Sequence, residues 1–301
     1  LSGPQHTSRP SRSRGWLRIS VALLLVTGVA VGLLVTRSGR TNAEIASKKD
    51  PALVQSRPTT TPAGTPGSGS IAPSGSHNST SGLLAGKVVV IDPGHNGGNF
   101  ADPAFINSPI WNGRAAESCD TTGTETDGGY TEAQLNFNVA RYLAAALGAE
   151  GAQVVLTRTT NNGVGPCVTQ RADIGNAAKA NAAISIHADG GPASGRGFAI
   201  LEPVADGPNA SVITPSQSLG TDVRSAFLAQ NVEPVSDYAG VDGIQPRHDL
   251  AGLNLTTVPK VLVECANMRN ASDAALVVTA SWQQSVAQAL AKAITQFLTA
   301  A

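Results

Sequence analysis

This chain is poor in charge, in aromatic rings and in sulfur, and each scarcity narrows what it can be. Lys and Arg number 21 and Asp and Glu number 21, so the net charge is zero. A protein that grips nucleic acid needs a basic face, and this balance argues against such a partner. Aromatic residues make up only 4% of the chain, too few for base-stacking platforms. Three cysteines cannot build a disulfide scaffold, and with 41% hydrophobic residues a core can be buried without one. No repeat recurs at a fixed period. No His-Glu-x-x-His stretch occurs either, which removes the thermolysin-type metal arrangement.

Long apolar runs are scarce too. The exception is Ile19 to Val35, 17 residues preceded by Arg9, Arg12, Arg14 and Arg18. We read 1–18 as a basic segment and 19–36 as a transmembrane anchor or signal sequence. An uncleaved span is preferred, because Thr36-Arg37-Ser38-Gly39-Arg40 offers no small-x-small cleavage site. The arginine bias places the N-terminus inside and the bulk of the chain outside the membrane. Residues 37–82, rich in Ser, Thr, Pro and Gly, bury too little apolar surface to order themselves and are expected to act as a flexible tether. Residues 83–301 are then one folded domain of roughly 200 residues, expected to be monomeric and to meet the membrane only through the N-terminal segment. Export places the cysteines where they can oxidise. Cys119 and Cys167 lie in Gly/Asn/Thr-rich loops and are expected to pair, leaving Cys265 free after a buried strand, although three pairings remain open.

Within that domain, Lys87-Val88-Val89-Val90-Ile91, residues 153–157, residues 183–186 and residues 260–263 are short β-branched runs of the kind that form strands buried on both faces. Helical patterns alternate with them. Thr131-Glu132-Ala133-Gln134 is a capping box that opens a helix carrying Leu135, Val139, Leu143 and Leu147, with Gly148 as its stop. Further helices are expected at 169–180, 216–230 and 281–297. The fold class is α/β, a single domain with a mostly parallel central sheet covered by helices on both faces.

In such a sheet, ligands gather at the carboxyl ends of the strands. Two of the five histidines fall there: His95 in Ile91-Asp92-Pro93-Gly94-His95-Asn96-Gly97, and His187 in Ile184-Ser185-Ile186-His187-Ala188-Asp189. A strand-end histidine can be purely structural, but two in equivalent places form a candidate metal pair. Glu132, in the first helical turn, supplies an oxygen and completes three ligands for Zn2+ with a fourth position open. It could equally serve the helix dipole, and Glu117 and Glu125 are rival carboxylates. Glu264 ends the last apolar strand at the same edge. A carboxylate buried there must be paired, with Arg247 or Arg269, or used as general base and acid on a metal-activated water.

Taken in order, Val89 to Gly97, Glu132 with its helix, Leu156-Thr157-Arg158, Gln170-Arg171, Ser185 to Asp189 and Pro259 to Glu264 resemble the zinc-dependent N-acetylmuramoyl-L-alanine amidases of the type 3 amidase family, and Cys265-Ala266-Asn267-Met268-Arg269-Asn270, the extra cysteines and the Ala-rich composition look similar to the cell-wall amidases of actinobacteria. The resemblance covers nearly all of 83–301. It implies cleavage of the amide between N-acetylmuramic acid and L-alanine in peptidoglycan or muropeptide fragments. It places His95, Glu132 and His187 on the metal-ligand positions, one zinc per chain, and Glu264 on the catalytic glutamate. Arg158 and Arg171 also match, and a structural role is expected for both, Arg171 tying a helix to the sheet. Two departures stand out. The stretch from His95 to Glu132 is longer than usual in the family and carries Cys119, so 96–131 is expected as a lid or a substrate rim. After Glu264 the usual Gly-Phe is replaced, although Asn270 is kept. No attached wall-binding module is expected. Two other readings of the same residues are a zinc peptidase cutting within stem peptides and a non-catalytic wall-binding regulator.

Overall fold

The computed structural model describes residues 81–300. The expected basic segment, the anchor or signal sequence at 19–36 and nearly all of the 37–82 tether lie outside them. No helix among the described residues is long and apolar enough to cross a membrane. Along the chain the elements are β1 (Val88–Pro93), α1 (Pro103–Ile106), β2 (Pro109–Trp111), β3 (Ala116–Ser118), α2 (Glu132–Ala149), β4 (Gln153–Leu156), α3 (Val168–Ala177), β5 (Ala182–Asp189), β6 (Ala199–Pro203), α4 (Ile213–Ala229), β7 (Ile244–Arg247), α5 (Ala251–Asn254), β8 (Lys260–Asn267), α6 (Ala271–Val277) and α7 (Ala280–Thr299).

Residues Val88 to Ile91 are all β-branched, which favours a pleated backbone, and β1 duly lies inside the sheet. The six strands follow the order β4-β1-β5-β8-β6-β7. Strands β4, β1, β5 and β8 are mutually parallel, β6 runs antiparallel to β8, and β7 pairs parallel with β6. The first four are the strands expected from the sequence. The other two escaped that reading because β6 is short and ends Glu202-Pro203, and β7 contains Pro246. Proline cannot donate to a ladder and is tolerated at an edge, which is where β7 lies.

One face of the sheet carries the main core. Leu135, Val139, Leu143 and Leu147 of α2 are fully buried there, and α7, with Val286, Leu290 and Ile294 inward, packs on both α2 and α4. The other face is thinner, covered by α3 and α5 over small clusters such as Val90, Ala180, Ala183 and Val258. At the start of α2 the Thr131 hydroxyl accepts from the Gln134 N–H at 3.3 Å. The reciprocal half of the expected box is not formed, because Gln134 Oε1 accepts from Asn161 instead at 2.9 Å. Gly148 lies within the helix. The reversal comes at Gly151, whose φ of +91° is the left-handed conformation that follows a helix end.

Cys119 and Cys167 form a disulfide, and Cys265 is free and buried. The 96–131 segment holds α1 and the β2–β3 hairpin and is tied down at several points. The Val168 N–H donates to Cys119 O at 2.8 Å, the Asn254 amide donates to Asn112 O at 3.0 Å, and Arg114 pairs with Asp206.

On β6, Glu202 is buried without a cation to pair with among the described residues. It faces α4 at Gly220, where any Cβ would collide with the carboxylate. Burial raises its pKa from the ordinary 4.5 to about 7. An unfolded chain releases this proton near pH 4.5 while the fold keeps it to about 7, so the stability conferred below pH 4.5 is lost as pH rises through that window. Urea unfolding of Glu202→Gln should therefore change less between those two pH values than unfolding of the natural protein. Equal pH slopes would contradict this.

Candidate metal centre

The carboxyl ends of β1, β5 and β8 lie side by side, and β5 and β8 pair in a register that sets His187 opposite Glu264. Just past β1 the chain turns sharply, with His95 at φ +56°, in the left-handed region uncommon for a residue with a side chain. Gly94 before it lies against the His187 ring, and a Cβ there would come within 2.1 Å of the ring's Cε1. Only glycine lets the two histidines approach this closely, their ring centroids 4.9 Å apart.

Two buried arginines hold the turn. Arg158 donates to Pro93 O (2.9 Å), Gly94 O (3.1 Å) and Ala133 O (2.8 Å), joining the end of β1 to the start of α2. Arg171, on α3, donates to Pro93 O (2.7 Å) and His95 O (2.8 Å) and pairs with Asp92 (3.0 Å) and Asp120 (3.1 Å). Asp92 also accepts from Thr157, Ser185 and Lys260. Burial alone would raise its pKa, but Lys260 and Arg171 with those hydroxyls hold it well below the usual range. The structural role expected for both arginines is borne out.

Three donor side chains converge above the turn. Glu132 opens α2, and its Oε1 lies 3.2 Å from His95 Nε2 and 2.8 Å from His187 Nδ1. The ligand atoms of the three residues all fall within 4.8 Å of one another, as a shared metal ion requires. The carboxylate is itself oriented, since Oε2 accepts from the Thr124 N–H at 3.0 Å and Oε1 from the Ala188 N–H and the Asn136 amide at 3.3 Å. Burial would raise the Glu132 pKa, yet His95 and His187 bring it well below its ordinary value. Burial would lower that of His95, but Glu132 and Asp120 override it and lift it to about 10. The pocket therefore favours positive charge strongly. Two imidazole nitrogens and one carboxylate oxygen fit a zinc ion with an open fourth position. The rival carboxylates stand apart: Glu117 accepts from Asn112 at 2.9 Å, and Glu125 is exposed. His248 is exposed as well.

Glu264 lies beside this trio with its Oε2 sealed from solvent and without a hydrogen-bond partner. Burial, then the Glu132 and Asp189 carboxylates, push its pKa well above the usual range. The cations considered for it are engaged elsewhere, Arg247 with Asp249 at 2.7 Å and Arg269 with Asp127 at 3.1 Å. A cleft of about 320 Å³ opens onto His95, Glu132, His187 and Glu264. A second cavity of about 400 Å³, lined in part by Asp120, Val168 and Leu253, adjoins it and shares Thr121 and Leu250 with it. The 96–131 segment contributes wall to both cavities. Asn270, kept after the glutamate, caps α6 through the Ser272 and Asp273 N–H groups.

Three residues that support the site, the carboxylates Asp92 and Asp120 and the cation Lys260, are not among those expected from the sequence. A signal for two of them existed. A charged residue at the end of one apolar strand and another at the start of its near neighbour, Asp92 and Lys260, cannot both be buried unless they meet.

An open, mostly parallel α/β sheet with two histidines and two glutamates converging at one edge defines an α/β protein whose strand ends could hold a metal ion. Comparison with known proteins narrows this class. The N-acetylmuramoyl-L-alanine amidase family profile matches residues 89–296, and the chain belongs to this family. It is 42% identical over 224 residues to an N-acetylmuramoyl-L-alanine amidase of Mycobacterium tuberculosis, covering 74% of this chain and 91% of that protein. Its fold matches the crystal structure of the N-acetylmuramyl-L-alanine amidase Ami1 from Mycobacterium smegmatis with a TM-score of 0.68 and 38% identity, covering 73% of this chain and all of the other. The apo form of Ami1 from Mycobacterium abscessus matches with a TM-score of 0.68 at 39% identity, over 71% of this chain and all of that one.

The glycine seat makes a prediction. Gly94→Ala should push the His187 ring out of place and reduce zinc affinity by more than about tenfold. Chelator competition measures it, and unchanged affinity would show that the ring does not depend on this seat.

Proposed function

We propose that the chain is an N-acetylmuramoyl-L-alanine amidase acting outside the cell membrane, with His95, Glu132 and His187 holding one zinc ion and Glu264 as general base and acid. The bond cut is the amide joining the lactyl group of N-acetylmuramic acid to the L-alanine of the stem peptide, in peptidoglycan or in released muropeptides. One observation carries this reading: a buried, unpartnered carboxylate oxygen on Glu264 beside a ready-made set of three donors. Left without a use, such a group would be a net cost to the fold.

Bound zinc would polarise the carbonyl and lower the pKa of water nearby. The chain's own residues supply the proton traffic. Glu264 has a free lone pair on Oε2 and, through burial and its acidic neighbours, an elevated affinity for a proton. It takes a proton from the attacking water and returns it to the alanine nitrogen as the C–N bond breaks, one group serving as base and then as acid. Glu132, fixed by the Thr124 and Ala188 N–H groups, and His187, seated over Gly94, keep their donor atoms in place without rearrangement. The basic 1–18 segment, a membrane anchor or signal sequence at 19–36 and the 37–82 tether would hold or deliver the domain on the wall side of the membrane.

Two variants and one product analysis test this reading. Glu264→Gln should retain zinc yet lose about 10²–10⁴-fold in rate, whereas His187→Ala should lose both. Mass analysis of digested muropeptides should show intact stem peptides with free N-terminal L-alanine. A Gln variant working at the natural rate would overturn the mechanism, and cuts inside the stem would make the protein a peptidase.

A further inference from the structure

We propose that Asp120, carried into the site by the 96–131 segment, is a positioning residue that sets His95 for metal binding and makes that disulfide-pinned segment part of the metal centre. The inference rests on the zinc reading above. His95 turns Nε2 toward Glu132, and its Nδ1 faces the segment. There Asp120 Oδ1 lies at 3.3 Å, and the carbonyl and hydroxyl oxygens of Thr121 both lie at 3.2 Å. A ring nitrogen surrounded by three oxygens carries its hydrogen on that side, which leaves the Nε2 lone pair for a metal.

Of the three oxygens only that of Asp120 belongs to a charged group, and that carboxylate is braced at both its oxygens. Its Oδ1 accepts from the Thr121 N–H at 2.8 Å and its Oδ2 from Arg171 Nη2 at 3.1 Å. The same Arg171 nitrogen donates to His95 O at 2.8 Å, so one guanidinium holds both the histidine's backbone and the carboxylate that orients its ring. Asp120 is only 4% exposed, which leaves water little room to take its place. The brace extends into the covalent structure. Cys119, next to Asp120, is bonded to Cys167, the N-cap of α3, and α3 carries Arg171. The disulfide thus fixes together the loop and the helix that supply the two halves of the Asp120–Arg171 pair. A carboxylate behind a ligating histidine strengthens the ligand and restricts its ring. Losing one typically costs about 10–100-fold in metal affinity.

The test uses the full-length chain with zinc affinity read by chelator competition and the visible spectrum of the cobalt(II)-substituted protein. Asp120→Ala should weaken zinc binding by about 10–100-fold and shift the cobalt bands. Asp120→Asn keeps an oxygen toward Nδ1 and the Thr121 N–H and should recover part of the loss; it also keeps the test decisive if the Ala variant does not fold. Removing the disulfide with Cys119→Ser and Cys167→Ser should weaken zinc in the same direction. Asp102→Ala, which uncaps α1 in the same segment without touching His95, should leave affinity and spectrum unchanged. Natural affinity and spectrum in both Asp120 variants would overturn this inference alone, as would an equal loss in Asp102→Ala. A natural protein that binds no zinc would overturn the metal reading and this inference with it.

Discussion

Three consecutive carbonyls, those of Pro93, Gly94 and His95, are held from behind by two buried guanidiniums, and the rest of the site depends on that clamp. A histidine in the left-handed region costs about 1–3 kcal/mol and persists only where the surroundings over-determine it. Arg158 and Arg171 do so through their planar forks, which present several donors at fixed angles to oxygens at fixed places. A lysine in either position would offer a compact charge on a flexible stem and could not span the same set of oxygens.

Burying such cations is tolerable only if their charge is answered. Arg171 and Lys260 face Asp92 and Asp120, two cations against two carboxylates within one connected network. Arg158 has no carboxylate of its own and is satisfied by carbonyl and amide oxygens. Burial and the nearby Arg171 charge lower its pKa to about 9. The network reaches from β1 through α3 and β8 to the 96–131 segment, so the elements that carry the candidate ligands are fastened to one another by polar contacts. The thin apolar layer of Val90, Ala183 and Val258 on this face could not do that alone.

How much of this was legible in the sequence follows from what each residue signals locally. His95, His187 and Glu264 each end an apolar run, and because the parallel strands share a direction their ends share an edge. Glu132 was legible through its position in a helix start, although that signal alone could not separate a ligand from a dipole partner. Strands β6 and β7 were not legible, because proline and a buried glutamate interrupt their patterns, and the edge position that tolerates Pro246 exists only in the assembled sheet. Gly148 and Gly151 both offer a helix stop by composition, the left-handed turn falls at Gly151, and nothing local distinguishes the two. Asp120 was the least legible. It lies in a loop without periodic pattern, and its meaning depends on a partner 51 residues away.

The distribution of charge explains why Glu264 stays unpaired although Asp92 and Asp120, buried close by, are both paired. Two buried cations of the network, Arg171 and Lys260, are taken up by Asp92 and Asp120 behind the turn. In front of it the cleft holds Glu132 and Glu264 with Asp189 near them, and Arg247 is drawn to Asp249. Moving one cation forward would satisfy Glu264 and would also fill the place of the proposed metal ion and lower the carboxylate's proton affinity, removing the property a general base needs. The excess of negative charge in front is then the feature that the neutral network behind makes sustainable. A fold rigid enough to hold three consecutive carbonyls can keep one carboxylate uncompensated where a water proton is to be taken.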